Sequence, residues 1–228
     1  MKKNMKDFYT QFKRTVDKSL KKVSYQKIKK DSSMLTKNDL IVQNRIILLI
    51  KKFFPEVKQF ICEEKFNVKN FKKINFKEPF AIIDPIDGTE NFFAENGMFG
   101  TLVSINLKSS KKVDIIYLPS KNVLITRENL FKFVKKPKKK NNISMLSTKC
   151  LNSNFKGSKY RIYGSSAYSF YKFIKGEANE FIYCKGAKIW DYFTGLRLAK
   201  LIDCKLQISN KNWMIKPNYK INYRLKWN

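Results

Sequence analysis

The chain has 228 residues, 43% hydrophobic and 14% aromatic, so it is long and apolar enough to fold around a core rather than stay disordered. Its 48 Lys and Arg against 18 Asp and Glu give a formal net charge of +30, which attracts anions such as phosphates, nucleic acids or acidic lipids, or simply forms a solvated lysine surface. The absence of histidine excludes a His/Cys zinc site and a Ser-His-Asp triad, so hydrolysis would have to use carboxylates, hydroxyls or metal ions.

The N-terminal half predicts helices followed by strands. Residues 5–29 alternate apolar and basic positions in a loosely helical way, and "KKDSSMLTKND" is a polar connection. Asn38 or Asp39 is expected to cap a helix through "LIVQNRIILLIKKFF", which Pro55 ends. The segments "QFICEE", "FAIID" and "TLVSINL" predict strands, and "VDIIYL" and "VLIT" predict a hairpin around "PSKN".

The C-terminal half predicts two more helices. A basic loop, "KFVKKPKKKNN", precedes them. The segment "GSSAYSFYKFIKGE" is expected to be a helix capped by small hydroxyl residues, "EFIYC" a strand, and "DYFTGLRLAKLI" a helix that begins at Asp191.

The cysteines and the N-terminus indicate a cytoplasmic protein. The four cysteines form no C-x-x-C pair, so we expect reduced thiols. The charged start "MKKNMKDFYTQFKRT" does not resemble a signal peptide, and the apolar segment "RIILLIKKFF" is too short and too interrupted to span a bilayer. We therefore expect no membrane association.

The acids are concentrated in one segment, since seven of the 18 lie in the stretch from Glu63 to Glu95. Asp84 follows a strand, Pro85 stiffens the exit, and Asp87 comes three residues later with the carbonyl of Ile86 between the two acids. Because two such carboxylates would repel each other, we expect an oxygen-ligated Mg²⁺ or Mn²⁺ here, with Glu63 as a further ligand. The alternative is a helix capped by Asp87 or Thr89, with the other acids on the surface.

Gly88 and Thr89 are expected to open a helical turn whose N–H groups bind phosphate oxygens. This combination indicates phosphoryl chemistry with a metal-activated water. In that interpretation Thr89 holds the water and passes its proton to an acid such as Asp39.

These residues resemble the signatures of the inositol monophosphatase family. "DPIDGTENF" matches the family's D-P-[IL]-D-G-T-x-N/E-F, and "KIWDYFTG", about 100 residues later, resembles its W-D-x-x-x-G. Three further matches stand in the right order over residues 29–206: "KKDSSMLTKND", "FPEVKQFICEE" and "GSSAYSFYKFIKGEANEFI".

The resemblance implies a Mg²⁺-dependent, lithium-sensitive phosphomonoesterase with two or three ions. It implies an α/β (α+β) fold, a layered αβαβα sandwich, in one catalytic domain with halves at 1–145 and 146–228. Thr89 and Asp39 match the pair that activates water, with Glu63 beside them, and Gly88, Thr89 and Ser165 match phosphate-binding positions. The implied metal ligands are Glu63, Asp84, the carbonyl of Ile86, Asp87 and Asp191.

The substrate side departs from the family pattern. Cys62 replaces the glycine before Glu63, and Cys184 stands seven residues before Asp191, where inositol-hydrolysing members commonly carry a glutamate. A thiol is a poor substitute for that acceptor. The segment from Lys132 to Met145 is compressed, and "LIDCKL" stands where the family usually has "EAGG".

Several functions are therefore weighed. The first is hydrolysis of a small polyol phosphate such as inositol 1-phosphate, or of histidinol phosphate; the second is hydrolysis of 3′-phosphoadenosine 5′-phosphate. Lys188 could contact a second phosphate, or be one surface lysine among many. A non-enzyme alternative is a basic nucleic-acid-binding protein on a phosphatase fold, although no nucleic-acid motif is present. A homodimer is expected from the resemblance.

Overall fold

A computed structural model describes residues 2–21, 25–28, 34–64, 66–109, 111–138, 143–150, 159–215 and 217–228. The α-helices of this described part are α1 (Lys2–Ser19), α2 (Lys37–Phe53), α3 (Val68–Phe71), α4 (Thr89–Phe93), α5 (Ser166–Ile174) and α6 (Ile189–Ala199). None of them is both long enough and apolar enough to cross a membrane.

Within the described ranges, the strands form two five-stranded sheets and one short pair. The pair is β1 (Tyr25–Ile28) with β2 (Met34–Thr36). The first sheet contains β3 (Gln59–Cys62), β4 (Phe80–Asp87), β5 (Gly100–Asn106), β6 (Lys112–Leu118) and β7 (Val123–Thr126), in that order. The second contains β8 (Ile143–Leu146), β9 (Lys159–Arg161), β10 (Glu180–Lys188), β11 (Cys204–Ile208) and β12 (Lys220–Trp227), in the order β11-β12-β10-β8-β9.

The first sheet is buried on both faces. Successive side chains of a strand point to opposite sides of the sheet, so each strand contributes to two cores. In β4, Ala81 and Ile83 join a core with α1 and α2, whereas Phe80 and Ile82 join a second core with α5 and α6. All eight residues of β4 are buried. A strand buried on both faces has a continuous apolar sequence, which is why "FAIID" shows no polar alternation.

The second sheet completes the layered arrangement. Along β12, buried and exposed residues alternate, and its buried side chains join the core of α5 and α6. Helices and sheets thus alternate in layers: α1 and α2, the first sheet, α5 and α6, and the second sheet. The predicted layered α/β sandwich is confirmed. The change from one sheet to the other falls between β7 and β8, and the division into halves at residue 145 stays a prediction.

Two predicted helix starts were wrong. The cap of α2 is Thr36, not Asn38 or Asp39, and Asp39 accepts a hydrogen bond from the Thr36 amide at 2.7 Å to complete a capping box. Helix α6 begins at Ile189, which places Asp191 inside its first turn. The helical pattern of residues 5–29 ends as α1 at Ser19, and parts of that pattern, of the polar connection and of the basic loop lie outside the described residues.

The expectation of four reduced thiols was also wrong. Cys150 and Cys184 form a disulfide, with 5.4 Å between their Cα atoms, whereas Cys62 and Cys204 are free. The parallel pairing of β8 with β10 brings the two residues together across a sequence separation of 34. The spacing of cysteines in the sequence does not show this pairing because it depends on strand β8, which was not predicted.

Candidate functional site

The predicted acids meet where two strands end. The parallel register of β3 and β4 pairs Cys62 with Ile83, and the Glu63 amide donates to the Ile83 carbonyl at 3.1 Å. This places Glu63 beside Asp84 at the same edge of the sheet. Both residues line a cavity of about 210 Å³ at this edge.

A β-bulge turns Asp84 and Asp87 toward the same cavity. Residues three apart in a regular strand point to opposite faces. Here Asp84 pairs with Leu102 and Asp87 pairs with Gly100, so β4 has one residue more than β5 between these pairs. Because of this extra residue, the Asp87 side chain points to the same side of the sheet as the Asp84 side chain. The Thr101 hydroxyl donates to the Pro85 carbonyl at 2.8 Å and fixes the bulge.

Asp191 joins the two acids from the start of α6. One carboxylate oxygen from each of Asp84, Asp87 and Asp191 lies within 4.8 Å of the others. Asp191 Oδ2 accepts from the Lys188 amide at 3.1 Å and lies 3.4 Å from the Tyr183 hydroxyl, which donates to it. The capping role of Asp191 and its place in the acidic cluster are therefore compatible.

The carboxylates disfavour each other's charge. Burial, then the neighbouring charges of Glu63, Asp87 and Asp191, raise the pKa of Asp84 well above its usual range. Burial also raises the pKa of Asp87 to about 6, although hydrogen bonds from Ser165 and the α5 backbone oppose this. Burial and the charges of Asp87 and Glu63 raise the pKa of Asp191 to about 7.

The donor set fits a hard divalent cation. Asp84 Oδ1 is buried and has no hydrogen-bond partner among the described residues. A buried acceptor surrounded by three other carboxylates is costly unless positive charge lies beside it. The available ligand atoms are all oxygens, which suits Mg²⁺ or Mn²⁺ and not a soft metal.

Asp87 is held from its other side by the start of α5. Ser165, the N-cap of α5, donates through its hydroxyl to Asp87 Oδ2 at 2.5 Å, and the Ala167 amide donates to the same oxygen at 2.6 Å. This leaves Oδ1 as the oxygen available to a cation. Ser165, predicted to bind phosphate, lines the cavity while its hydroxyl orients this acid.

Thr89 and Asp39 are brought together across 50 residues of sequence. The Thr89 hydroxyl lies 3.2 Å from Asp39 Oδ1 and 3.0 Å from the Ile86 carbonyl, both of which can accept its proton. Asp39 is buried, and its Oδ2 accepts from the amide and hydroxyl of Thr36. The capping box of α2 therefore sets the orientation of Asp39.

Gly88 is required by its conformation and by its neighbours. Its φ of +87° lies in the left-handed region, and a Cβ at this position would come within 2.9 Å of the Ser165 Cβ. Gly88 is the N-cap of the short helix α4, and Gly88, Thr89 and Ile86 all line the cavity.

Lys188 is placed differently from the other predicted residues. It is not among the residues that line the cavity, and its ammonium lies 5.6 Å from the centroid of the Trp190 ring. Its backbone N–H holds Asp191, and its charge lowers the pKa of that acid.

The cavity has a second wall that sequence reasoning missed. This wall is formed by Leu146 at the end of β8, by Ser147 and Thr148 after it, and by Phe181 and Tyr183 of β10. Ser166, Ser169 and Gly164 complete the lining near α5. The "GSS" segment was a signal for the α5 side, whereas nothing in the local sequence marks "LST" as part of a site.

Comparison with known proteins identifies a family for this chain. The model of the inositol monophosphatase family matches residues 3–200. The 3′(2′),5′-bisphosphate nucleotidase CysQ of Haemophilus influenzae is 28% identical over 92 residues, which cover 40% of this chain and 34% of that protein. The matched region thus spans about a third of the length of this relative.

Solved structures share the whole fold at low sequence identity. An IMPase/NADP phosphatase complexed with NADP and Ca²⁺ has a TM-score of 0.75 at 18% identity, covering 99% of this chain and 89% of that one. The structure of Staphylococcal inositol monophosphatase-1 soaked in LiCl gives 0.75 at 19% identity with the same coverage. The extragenic suppressor protein suhB from Bartonella henselae gives 0.71 at 15% identity, covering 98% and 94%. With the family model matching most of its length, the chain belongs to the inositol monophosphatase family and is a phosphatase of the phosphoric monoester hydrolase class.

Proposed function

We propose that the protein is a Mg²⁺-dependent phosphatase that hydrolyses a small phosphomonoester, a polyol phosphate of the inositol 1-phosphate type. The observation that carries this proposal is the meeting of Asp84, Asp87 and Asp191 in one cavity with Thr89. A cavity of about 210 Å³ suits a small substrate.

The metal ligands in this proposal are Glu63, Asp84, the Ile86 carbonyl, Asp87 and Asp191, which would hold two or three Mg²⁺, or Mn²⁺ in their place. The ions, when bound, neutralise phosphoryl oxygens and make water more acidic. Their charge also offsets the repulsion that raises the pKa of Asp87 and Asp191.

Thr89 and Asp39 supply the proton path. The Thr89 oxygen accepts a proton from the attacking water while its own proton moves to Asp39 Oδ1 along the 3.2 Å contact. Asp39 stays oriented during this transfer because Thr36 binds its other oxygen. The backbone N–H groups of Gly88 and Thr89 are proposed to bind the phosphate oxygens, with Ser165 fixing Asp87 beside them.

A bisphosphate nucleotidase that acts on 3′-phosphoadenosine 5′-phosphate is the second candidate. Two observations favour it: the similarity to CysQ, and the disulfide that removes Cys184 as an acceptor for sugar hydroxyls. Histidinol phosphate is a further substrate to test. In this second candidate, Lys188 would contact the second phosphate of the substrate. For either candidate, we propose a cytoplasmic location and a homodimer.

The deciding experiment is a phosphate-release assay of the purified protein with Mg²⁺. The panel contains inositol 1-phosphate, histidinol phosphate and 3′-phosphoadenosine 5′-phosphate. We expect one of them to be hydrolysed, the activity to vanish with EDTA and to survive moderate salt. No release from any of them, together with strong RNA binding that falls steeply with salt, would instead support a basic nucleic-acid-binding protein.

A further inference from the structure

A covalent bond joins the two chain segments that form the wall opposite the acids. Leu146, the last residue of β8, lines the cavity together with Ser147 and Thr148, and a 3₁₀ turn continues from Thr148 to Cys150. Cys150 is then bonded to Cys184 of β10. The disulfide therefore connects the end of the Ser147–Thr148 segment to the strand that also carries Tyr183.

Noncovalent contacts also hold this wall: strand β8 pairs with β9 as well as with β10, and its Met145 joins the core of α5 and α6. A small cluster of Leu146, Cys150 and Ile182, with Ile162 and Cys184 at its edge, is separate from the two large cores. Strand β8 pairs with β10 at three positions. Beyond this pairing, the Ser147 amide donates to the Ile182 carbonyl at 3.1 Å and the Cys150 amide donates to the Ser147 carbonyl at 2.9 Å.

The two sulfurs differ in access. Cys150 is completely buried, whereas Cys184 is partly exposed. A thiolate from solvent would therefore attack Cys184 Sγ and release the Cys150 thiolate. The acidic cluster is not part of this covalent connection, since its residues belong to β4 and α6.

We propose that the Cys150–Cys184 disulfide positions the Ser147–Thr148 wall for substrate binding, and that its reduction by a dithiol weakens substrate binding without disabling the acidic cluster. This inference rests on the proposed phosphatase function. In the reaction the S–S bond takes up two electrons and two protons to give two thiols, and the dithiol is oxidised to its own disulfide. Cys150 and Cys184 are thus positioning residues, because they act through the wall and touch no reacting atom.

Kinetics of the oxidised and dithiothreitol-reduced wild-type protein test the proposal. Loss of a binding wall removes interactions made equally in the ground and transition states, so we expect KM to rise about tenfold with kcat within about twofold. Re-oxidation should restore KM. The double variant Cys150→Ser/Cys184→Ser should match the reduced protein with or without dithiol.

The variant Cys204→Ser is the matched control because Cys204 is a free cysteine outside the cavity lining. It should respond to dithiol as the wild type does. If the double variant does not fold, the reversible reduction of the wild type still decides. An unchanged KM on reduction, or a fall of kcat alone, would overturn the proposal.

Two measurements separate this inference from the phosphatase proposal. Thiol titration of the denatured, unreduced protein should find two free thiols per chain; four would overturn the inference. Amide hydrogen exchange in residues 143–150 should become faster on reduction, and unchanged exchange would also overturn it. If the oxidised protein hydrolyses nothing in the panel while exchange responds as expected, the phosphatase proposal fails and the role of the bridge in the wall stands.

Discussion

The two sides of the cavity are built in different ways. The acidic side, with Asp84, Asp87 and Asp191, comes from the ends of elements embedded in the two large cores. The opposite wall, with Ser147 and Thr148, follows β8 and is attached to β10 through strand pairing, a small separate cluster and one disulfide. The side proposed to perform the chemistry is thus fixed by the fold, whereas the side proposed to select the substrate depends on local connections.

The departure from the family pattern at Cys184 concerns the wall and not the acids, in agreement with this difference between the two sides. The acids that match the family signatures come together in the structure, whereas Cys184, where the resemblance led us to expect a glutamate, is bonded to Cys150 and does not line the cavity. The comparison predicts that substitutions on the acidic side abolish turnover, while those on the wall change substrate affinity.

The largest effect is expected from Asp87→Asn. The substitution keeps the shape of the side chain and an oxygen that can accept from the Ala167 amide, but it removes the charge that a cation needs. We expect kcat/KM to fall on the order of 10³-fold, about 4 kcal/mol of transition-state stabilisation. Phosphate release and Mg²⁺ titration calorimetry measure the two losses.

Glu78→Gln is the control for the charge change in Asp87→Asn. Glu78 lies outside the cavity lining and forms an ion pair with Lys108 at 3.8 Å. Its substitution should leave turnover unchanged. Near-normal activity of Asp87→Asn, in a protein that folds and melts normally, would contradict the role of Asp87 as a metal ligand. It would also contradict the proposed contrast between the two sides of the cavity.

The sequence predicted the acidic side far better than the wall. Asp84 and Asp87 are close in sequence and follow an apolar strand, so their chemistry is visible in one segment. The bulge that aligns them is not visible, because it depends on the register with β5. Asp191 came from the resemblance alone, since an Asp in the first turn of a helix is commonly a cap.

The wall could not be predicted because it depends on contacts distant in sequence. Strand β8 is only four residues long and follows a basic segment, and its partner β10 lies over 30 residues later. Strands β11 and β12 were missed as well, although "INYRLKW" alternates polar with apolar residues as a half-buried strand does. The helix cap was misplaced by two or three residues because Thr36, Asn38 and Asp39 are all good capping residues.

A second substitution separates binding from proton transfer within the acidic side. Thr89→Ala removes the hydroxyl that links water to Asp39, and we expect kcat to fall about 10²-fold. Mg²⁺ affinity should change little. Thr89→Ser keeps the hydroxyl and should restore most of the rate. Equal loss of kcat and Mg²⁺ affinity in Thr89→Ala, with no recovery in Thr89→Ser, would argue against a proton path through this residue.

The smallest effect concerns stability without metal, and it arises on the acidic side alone because the wall has no cluster of acids. Folding raises the pKa of Asp191 to about 7, chiefly through burial and the charges of Asp87 and Glu63, while Lys188 opposes the shift. A carboxyl group with a raised pKa holds its proton more tightly in the folded state. The folded, metal-free protein must therefore lose stability as the pH rises from about 4 through about 7.

The variant Asp191→Asn separates the contribution of Asp191 to the pH dependence of stability from that of the rest of the chain. Between pH 5 and pH 8, the melting temperature of the metal-free variant should rise relative to that of the metal-free wild type by on the order of 5 °C, given about 1.4 kcal/mol per pKa unit and about 2–4 °C per kcal/mol. Mg²⁺ should stabilise the wild type more at pH 8 than at pH 5, because at pH 5 it must displace protons. The same difference in melting temperature between variant and wild type at both pH values would show that the carboxylates do not repel each other in the folded chain, and the acidic side would then lose the electrostatic reason for holding a cation.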